Sequence, residues 1–453
     1  MDKRGFALVM TLPILLLVIF LCTTLLAICS NDIFLAYAKC NAMRAYCIAD
    51  AGIADGYKHL RDGGWTPSLL SFSKNYNVNG ANDAGSYAVS YQVLASGTWP
   101  TYGITSIGTY KGVSKTLQLT VQLTSFQHWA YITNTEICYY PGWEGYASYW
   151  VTGNIVNGPL QVNDHLYVAG NPIFNGAVSV ADTQVSYYDS PGVDQPQFNA
   201  GLWLGVQPVP LPDPAPLLTA IKTAASQPGS GLLIDGRNMN DPQNPQPGYY
   251  RGPGGTHTDT SIQFLANGTM NVTNNNQYKT TTNMPIPQNG AIYVTGGEVD
   301  VKGALNGQVT VGCDQNIWTS DSIIYHDTSP SAPNPASTDV LGLVAKTNVI
   351  FPNDLGSGNK EVDAYIVALN GSFYLENMTA VPGVLGNLVQ YGGVMAQWSA
   401  TVFGCFSGSG ALQFGYLQIP YYDDRLTSLI PPSFTPAQDS GGLRYRKISL
   451  KQL

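Results

Sequence analysis

Hydrophobic residues are distributed along this chain in three different ways. From Phe6 to Cys29 the sequence is an almost unbroken apolar run, interrupted only by Thr11, Pro13, Thr23 and Thr24. At 1.5 Å rise such a run covers ~36 Å of helix, enough for the ~30 Å hydrocarbon core of a bilayer. The sequence stays helix-compatible to Leu60, with no proline between Pro13 and Pro67, and Gly63-Gly64 is a stop signal. This predicts one helix over 6–62, about 80 Å long, longer than a simple anchor needs.

A second pattern follows. Residues 86–93 and 116–123 alternate strictly between apolar and polar, and 104–113 read as another strand with a turn. Period-2 alternation predicts a half-buried antiparallel sheet over 63–126. In the third region, short apolar stretches are punctuated by Gly and Asn, as in 153–162 and 303–311. Further strands are predicted at 292–294, 323–325, 339–350, 364–369 and 394–403, with no fixed period. Stacked short strands and Gly/Asn corners favour a β-helix or solenoid over a sandwich for 127–432. The fold class expected is α+β: a long N-terminal helix, a small antiparallel sheet, then a large all-β region. Residues 206–216 read as a polyproline connector, 235–255 as a Pro/Gly/Asn loop, and 433–453 as a basic tail, read first as a solvated terminus.

At 100° per residue, Cys22, Cys29, Cys40 and Cys47 fall within about 20° of one line along the helix, joined by Ile33, Ala36, Ala51 and Ala54. Ala38, Ala42, Ala45 and Ala49 lie opposite. Small residues on two sides suit close approach by more than one neighbouring helix. The cysteines read as small apolar packing residues, not as redox or metal chemistry.

Charge narrows the picture. Lys+Arg is 21 and Asp+Glu 29 in 453 residues, a net of -8, and only 11% of residues are charged. An average soluble protein carries roughly 25%. Such a sparse, acidic balance excludes a broad nucleic-acid footprint. Residues 1–62 hold six basic and five acidic side chains, so the remainder carries a net of -9. Lys3 and Arg4 precede the apolar run, which places Met1 in the cytoplasm and the bulk of the chain outside. The run is too long for a cleaved secretory signal, and the residues before Cys22 and Cys29 do not suit a lipoprotein signal.

The stretch Lys3-Arg4-Gly5 with Phe6-Ala7-Leu8-Val9, followed later by Ala49-Asp50-Ala51-Gly52-Ile53-Ala54, resembles bacterial type IV pilins and type II secretion pseudopilins, in particular PilX-type and GspK-type minor subunits. The resemblance implies a prepilin leader over 1–5 that carries the charges Lys3 and Arg4. It implies cleavage between Gly5 and Phe6 by a prepilin peptidase, and N-methylation of Phe6. Major pilins carry glutamate five residues after the cut, where this chain has Met10. That departure implies a minor subunit near a filament tip. The stretches 153–166, 172–176, 339–345 and 421–426, with Pro431-Pro432, resemble a family of bacterial pilin-like proteins with a β-helix-like body.

No motif for chemistry emerges. Asp423-Asp424 is the only adjacent acidic pair, and Arg425 beside it suggests a capping salt bridge. His59, His128, His165, His257 and His326 show no metal-ligand spacing. His165 follows Asp164, and the second resemblance implies a place at a solenoid corner. No cofactor, metal or catalytic residue is expected. One disulfide among Cys138, Cys313 and Cys405 is open, without a readable pairing. Trp129, Tyr131, Tyr139, Tyr140, Trp143, Tyr146, Tyr149 and Trp150 read first as packing and second as an adhesive face for a surface glycan.

The expected function is that of a non-enzymatic minor pilin-like subunit of a type IV pilus or related pseudopilus. It would serve assembly, tip display and adhesion, first in the inner membrane and then on the pilus or cell surface. Its expected partners are the prepilin peptidase, other pilin or pseudopilin subunits met through the helix, and the inner membrane. The alternative is a membrane-tethered β-helix protein that binds or cleaves polysaccharide.

Overall fold

A computed structural model describes residues 3–62, 69–77, 84–96, 100–123, 126–138, 144–237, 260–274, 279–353, 356–377, 381, 383–399, 403–406, 411–434, 438–439, 442–443 and 445–453. The chain divides into two units, Met1–Leu123 with Gly441–Leu453, and Thr124–Ser440.

The first unit is one long helix and one antiparallel sheet. Helix α1 runs without interruption over Lys3–Asp62, with Pro13 inside it. It begins three residues before the expected start, because residues 3–5 continue the same helical path. Strands β1 (Phe72–Asn77), β2 (Ala84–Ala95), β3 (Thr101–Tyr110) and β4 (Val113–Leu123) pair antiparallel in chain order. Burial alternates along β3 and β4, as period-2 patterning requires. The turn between them is Lys111-Gly112, both at positive φ.

Residues 445–452 correct the expectation of a solvated basic tail. Tyr445–Gln452 forms the fifth strand of this sheet, antiparallel to β4. Its register shifts between Lys447 and Ser449, and that irregularity breaks the alternation by which a strand is recognised. The strand covers the β4 edge beside Leu119 and Val121, both buried.

The second unit is rich in strands, most of them paired in parallel. The principal ladder contains β5 (Tyr131–Thr135), β6 (Leu160–Val162), β7 (Val178–Val180), β8 (Leu202–Leu204), β9 (Leu232–Asp235), β10 (Ala291–Thr295), β11 (Gln308–Cys313), β12 (Val340–Ala345), β13 (Lys360–Ala368) and β14 (Val384–Trp398). In space the order is β9, β10, β11, β12, β13, β14, β5, β6, β7, β8. The chain therefore enters this ladder in its middle, at β5, and winds outward to β8. It then crosses to the far end at β9 and winds back until β14 closes on β5, with Val394 opposite Tyr131. Two short parallel sheets, Ile155–Val156/Ile173–Phe174/Gln197–Phe198 and Trp150–Val151/Leu166–Ala169/Val185–Tyr187, flank the outward-wound strands.

Inward side chains form a continuous apolar core that includes Leu160, Val178, Val294, Val311, Leu343, Ile366 and Val394. Buried polar groups are linked along the stack, as burial demands. Asn316 Nδ2 donates to Glu298 Oε1 at 2.6 Å, Asn348 Nδ2 donates to Asn316 Oδ1 at 3.1 Å, and the Ser372 amide donates to Asn348 Oδ1 at 2.9 Å. The Ser372 hydroxyl donates to the Ser399 carbonyl, and Ser399 Oγ donates to Glu136 Oε2 at 2.9 Å. A second ladder joins Asn157, Asn175 and Asn199 at 2.8 and 2.7 Å.

The connector from β8 to β9 is not polyproline throughout. Helix α2 occupies Pro214–Ala225, with the Asp213 carboxylate accepting from the Ala215 amide at its N-cap. Proline fits the first turn of a helix, where its missing N–H would have no partner. Leu217, Leu218 and Ile221 bury the outer side of the ladder near Ala291 and Tyr293, beside Val340, Val344, Tyr365 and Val367. Residues 206–213 are extended, and the Asn163 side chain holds Val209 through both its N–H and its carbonyl. Most of the expected 235–255 loop lies outside the described residues.

Candidate functional site

The residues singled out by sequence gather on α1, whose two faces have opposite fates. The apolar segment is bare: Ile14, Leu15, Leu16, Leu17, Phe20, Leu25 and Leu26 are all exposed. From Pro13 onward this is one helix long and apolar enough to cross a membrane, with a mean hydropathy of 2.6 in its richest window. Its hydroxyls turn inward to the backbone, Thr23 and Thr24 donating to the Phe20 carbonyl at 2.9 and 3.0 Å. That arrangement gives both of these hydroxyls a partner in an apolar surrounding.

The second half of α1 lies on its own sheet. Ala45, Ile48, Ala49, Gly52, Ile53, Gly56 and Leu60 are buried, a line set by the 3.6-residue period. The approach is close enough to require glycine on both sides. A Cβ at Gly52 would overlap the Ser106 hydroxyl and the Tyr87 ring, and one at Gly108 would overlap the helix backbone at Ala45 and Ala49. Ala45 and Ala49, expected on one packing side of the helix, thus pack against the protein's own sheet.

Polar contacts fix the same face. Asp55 accepts from Lys74 Nζ at 2.6 Å and from the Tyr87 hydroxyl at 2.9 Å. The Lys74 ammonium holds the Asp55 carboxyl below its ordinary value. Burial, followed by the bond to Asp55, pushes Tyr87 up to about 12. The Tyr91 hydroxyl donates to the Gly56 carbonyl at 3.0 Å, and burial raises Tyr91 to about 12. Arg44 donates to the Tyr110 hydroxyl, its guanidinium 5.1 Å from that ring.

Cys22, Cys29, Cys40 and Cys47 are all exposed free thiols. At 100° per residue their line stands roughly 160° from the buried line. The cysteine stripe is therefore the helix face directed away from the sheet, a smooth surface of small and apolar side chains as far as Ala54, with the exposed Lys58 next on the same line. Lys3, Arg4, Gly5 and Phe6 lie in the first turns of α1, and their side chains fall outside the described residues. Gly52, Gly56 and Gly108 were not anticipated as an interface; the four-residue spacing of Gly52 and Gly56 on one helix face was the available signal.

Other candidates resolve into structure. Arg425 and Asp423 form a buried ion pair at 2.6 Å, the capping bridge expected there, and the guanidinium lies over Tyr325 and Tyr391 at 5.1 and 5.8 Å. His165 Nδ1 meets the Asp182 carboxylate, and its Nε2 lies 3.4 Å from Asp164, at the turn between β6 and the strand Leu166–Ala169. Cys313 is a free, buried thiol that donates to the Gly297 carbonyl at 3.0 Å; the side chain of Cys405 lies outside the described residues. Of the aromatic stretch, Tyr131 and Trp150 pack edge-to-face in the core at 5.0 Å. Tyr149 meets Tyr167, Tyr188 and Phe406 at 5.4–5.6 Å, and Tyr146 is exposed. Tyr139, Tyr140 and Trp143 lie outside the described residues. Among the described residues no group of three His, Cys, Asp or Glu is arranged to hold a metal.

Residues 86–183 match the model of a domain family of unknown function, DUF4900. The match runs from β2 to just past β7 and so covers parts of both units. No curated protein matches. Among solved structures, the competence-associated pilin ComZ from Thermus thermophilus is 12% identical, with 91% of this chain and 97% of that chain covered and a TM-score of 0.32, below the range of a shared fold.

Proposed function

We propose that this chain is a minor pilin-like subunit, inserted by α1 in the inner membrane, cut by a prepilin peptidase after Gly5 and N-methylated at Phe6. It then assembles at or near the tip of a type IV pilus or related secretion pseudopilus. The observation that carries the reading is the division of labour along α1. Its first half is apolar and bare, its second half is clamped to one sheet, and the cysteine line remains outward over both halves. A helix used only as an anchor has no need of a smooth face that continues past the membrane. Neighbouring subunits would pack on that face through van der Waals contact between small side chains.

The second unit is read as a β-solenoid, displayed outside the cytoplasm for adhesion, with surface glycan as a ligand class. Parallel pairing of strands separated by 18, 24 or 32 residues, with asparagines stacked at the turns, supports coils of unequal length. The protein is read as structural and not enzymatic. Its adjacent acids support this, since Asp423 is committed to a buried ion pair with Arg425.

The test is to co-express the chain with a prepilin peptidase and measure the mass of the N-terminal peptide. A chain that begins at N-methyl-Phe6 is expected. An intact Met1 in the presence of an active peptidase would overturn the assignment.

A further inference from the structure

Burial differs between the two ends of the parallel ladder. At the β9 end the inward Ile234 is fully buried, and the antiparallel strands Thr260–Leu265, Thr269–Asn274 and Lys279–Pro285 follow, joined to the unit through Val299–Leu305. At the other end the outermost coil is 185–204. Among the described residues its strands Val185–Tyr187, Gln197–Phe198 and β8 each pair on one side only. The inward side chains register the lack of a cover. One coil inside, Leu166, Val168, Phe174, Val178 and Val180 are fully buried. Their register partners Val185, Tyr187, Phe198 and Leu202 are only half-buried, and Leu204 is 40% exposed. Trp203, directed outward between the two leucines, is 50% exposed.

An open strand edge beside a half-covered core is a template for strand addition. Charge selects what can be added. Between Lys115 and Lys222 there is no Lys or Arg, whereas Asp189 borders the open coil together with Asp182, whose carboxylate meets only the half-exposed His165 among the basic groups of the described residues. The Asp182 carbonyl accepts from the Gly205 amide, immediately after β8. A second copy stacked end to end would bring two such acidic rims together, and like charges across an interface oppose docking. A cationic strand meets the opposite sign.

We propose that the β8 edge receives an extended, cationic segment of a partner protein. The segment is added as a β-strand, with apolar side chains over Leu202 and Leu204 and Lys or Arg beside Asp182. The site stands on the pairing of the second unit alone and is independent of how α1 is used.

The test is hydrogen exchange on the full chain in detergent. The probe is a peptide of sequence RYRKISLKQL, the chain's own cationic stretch 444–453, with a version in which every Lys and Arg is replaced by Glu as control. The cationic peptide is expected to slow exchange of amides in 197–205 by about tenfold or more, less so at high salt. Trp203→Lys, an outward and exposed position, is expected to abolish the slowing while exchange elsewhere is unchanged. Three outcomes overturn the proposal: no slowing, equal slowing by the acidic peptide, or slowing that rises with protein concentration in the absence of peptide. The last would mark two copies stacked end to end.

Discussion

At the scale of single residues, the first unit depends on atoms that are missing. Gly52 and Gly108 let helix and sheet backbones approach closely, and overpacking such a contact costs typically 1–3 kcal/mol. Gly52→Val is therefore expected to destabilise the first unit by about 2 kcal/mol in denaturant unfolding. Ala54→Val, on the exposed side, should stay within about 0.5 kcal/mol; equal effects would contradict the packing assigned to the two faces. In the second unit the decisive residue is Glu136. It is fully buried, accepts from the Thr133 and Ser399 hydroxyls, and burial raises its carboxyl to about 7. The folded form thus holds a proton that the unfolded form releases near its ordinary value. Its stabilisation is complete below that value and is lost as pH rises through 7. Asp363, pushed up to about 9 by burial and by Glu361, adds a loss of the same sign at higher pH. Glu136→Gln keeps an acceptor at this position and removes one titration. Its melting temperature relative to the parent should climb between pH 4.5 and 7 and then level off; parallel profiles would show that Glu136 does not titrate as described.

Elements were legible in proportion to how locally they are specified. The long helix and the alternating strands β2 to β4 could be read because one period runs through each. Helix α2 could not, because the alternating prolines from Pro208 to Pro216 mask its start; the usable signal was Asp213 before Pro214 and the apolar spacing of Leu217, Leu218 and Ile221. Asp213→Ala should cost about 1 kcal/mol, seen as faster exchange in α2. The strand Tyr445–Gln452 was hidden by its register shift and its basic side chains. Removal of 445–453 should turn β4 into an edge and raise exchange of its outward amides, with β2 little affected. Slow exchange in β4 after that deletion would argue against its partnership with 445–452. On the candidate site, the cysteine line was readable from spacing alone, whereas the helix face that the sheet takes was not, because no helical period states which partner packs on which side.

At the scale of the whole chain, separate cores in the two units predict separate melting. Calorimetry in detergent is expected to show two transitions, the one moved by Gly52→Val and the other by Glu136→Gln. A single transition shifted by both variants would contradict that independence. The order of strands in the second unit was not legible, because intervals of 18, 24 and 32 residues leave no repeat to detect. That order also has a temporal consequence. The contact between β5 and β14, like the bond from Ser399 to Glu136, spans about 263 residues, and closing so long a loop comes late in folding. During synthesis, β5 through β8 exist well before the strand that shields one side of β5. The seam of the stack is thus left open for most of the time the chain takes to be made, and a nascent second unit needs protection from misassociation for longer than its length alone would suggest.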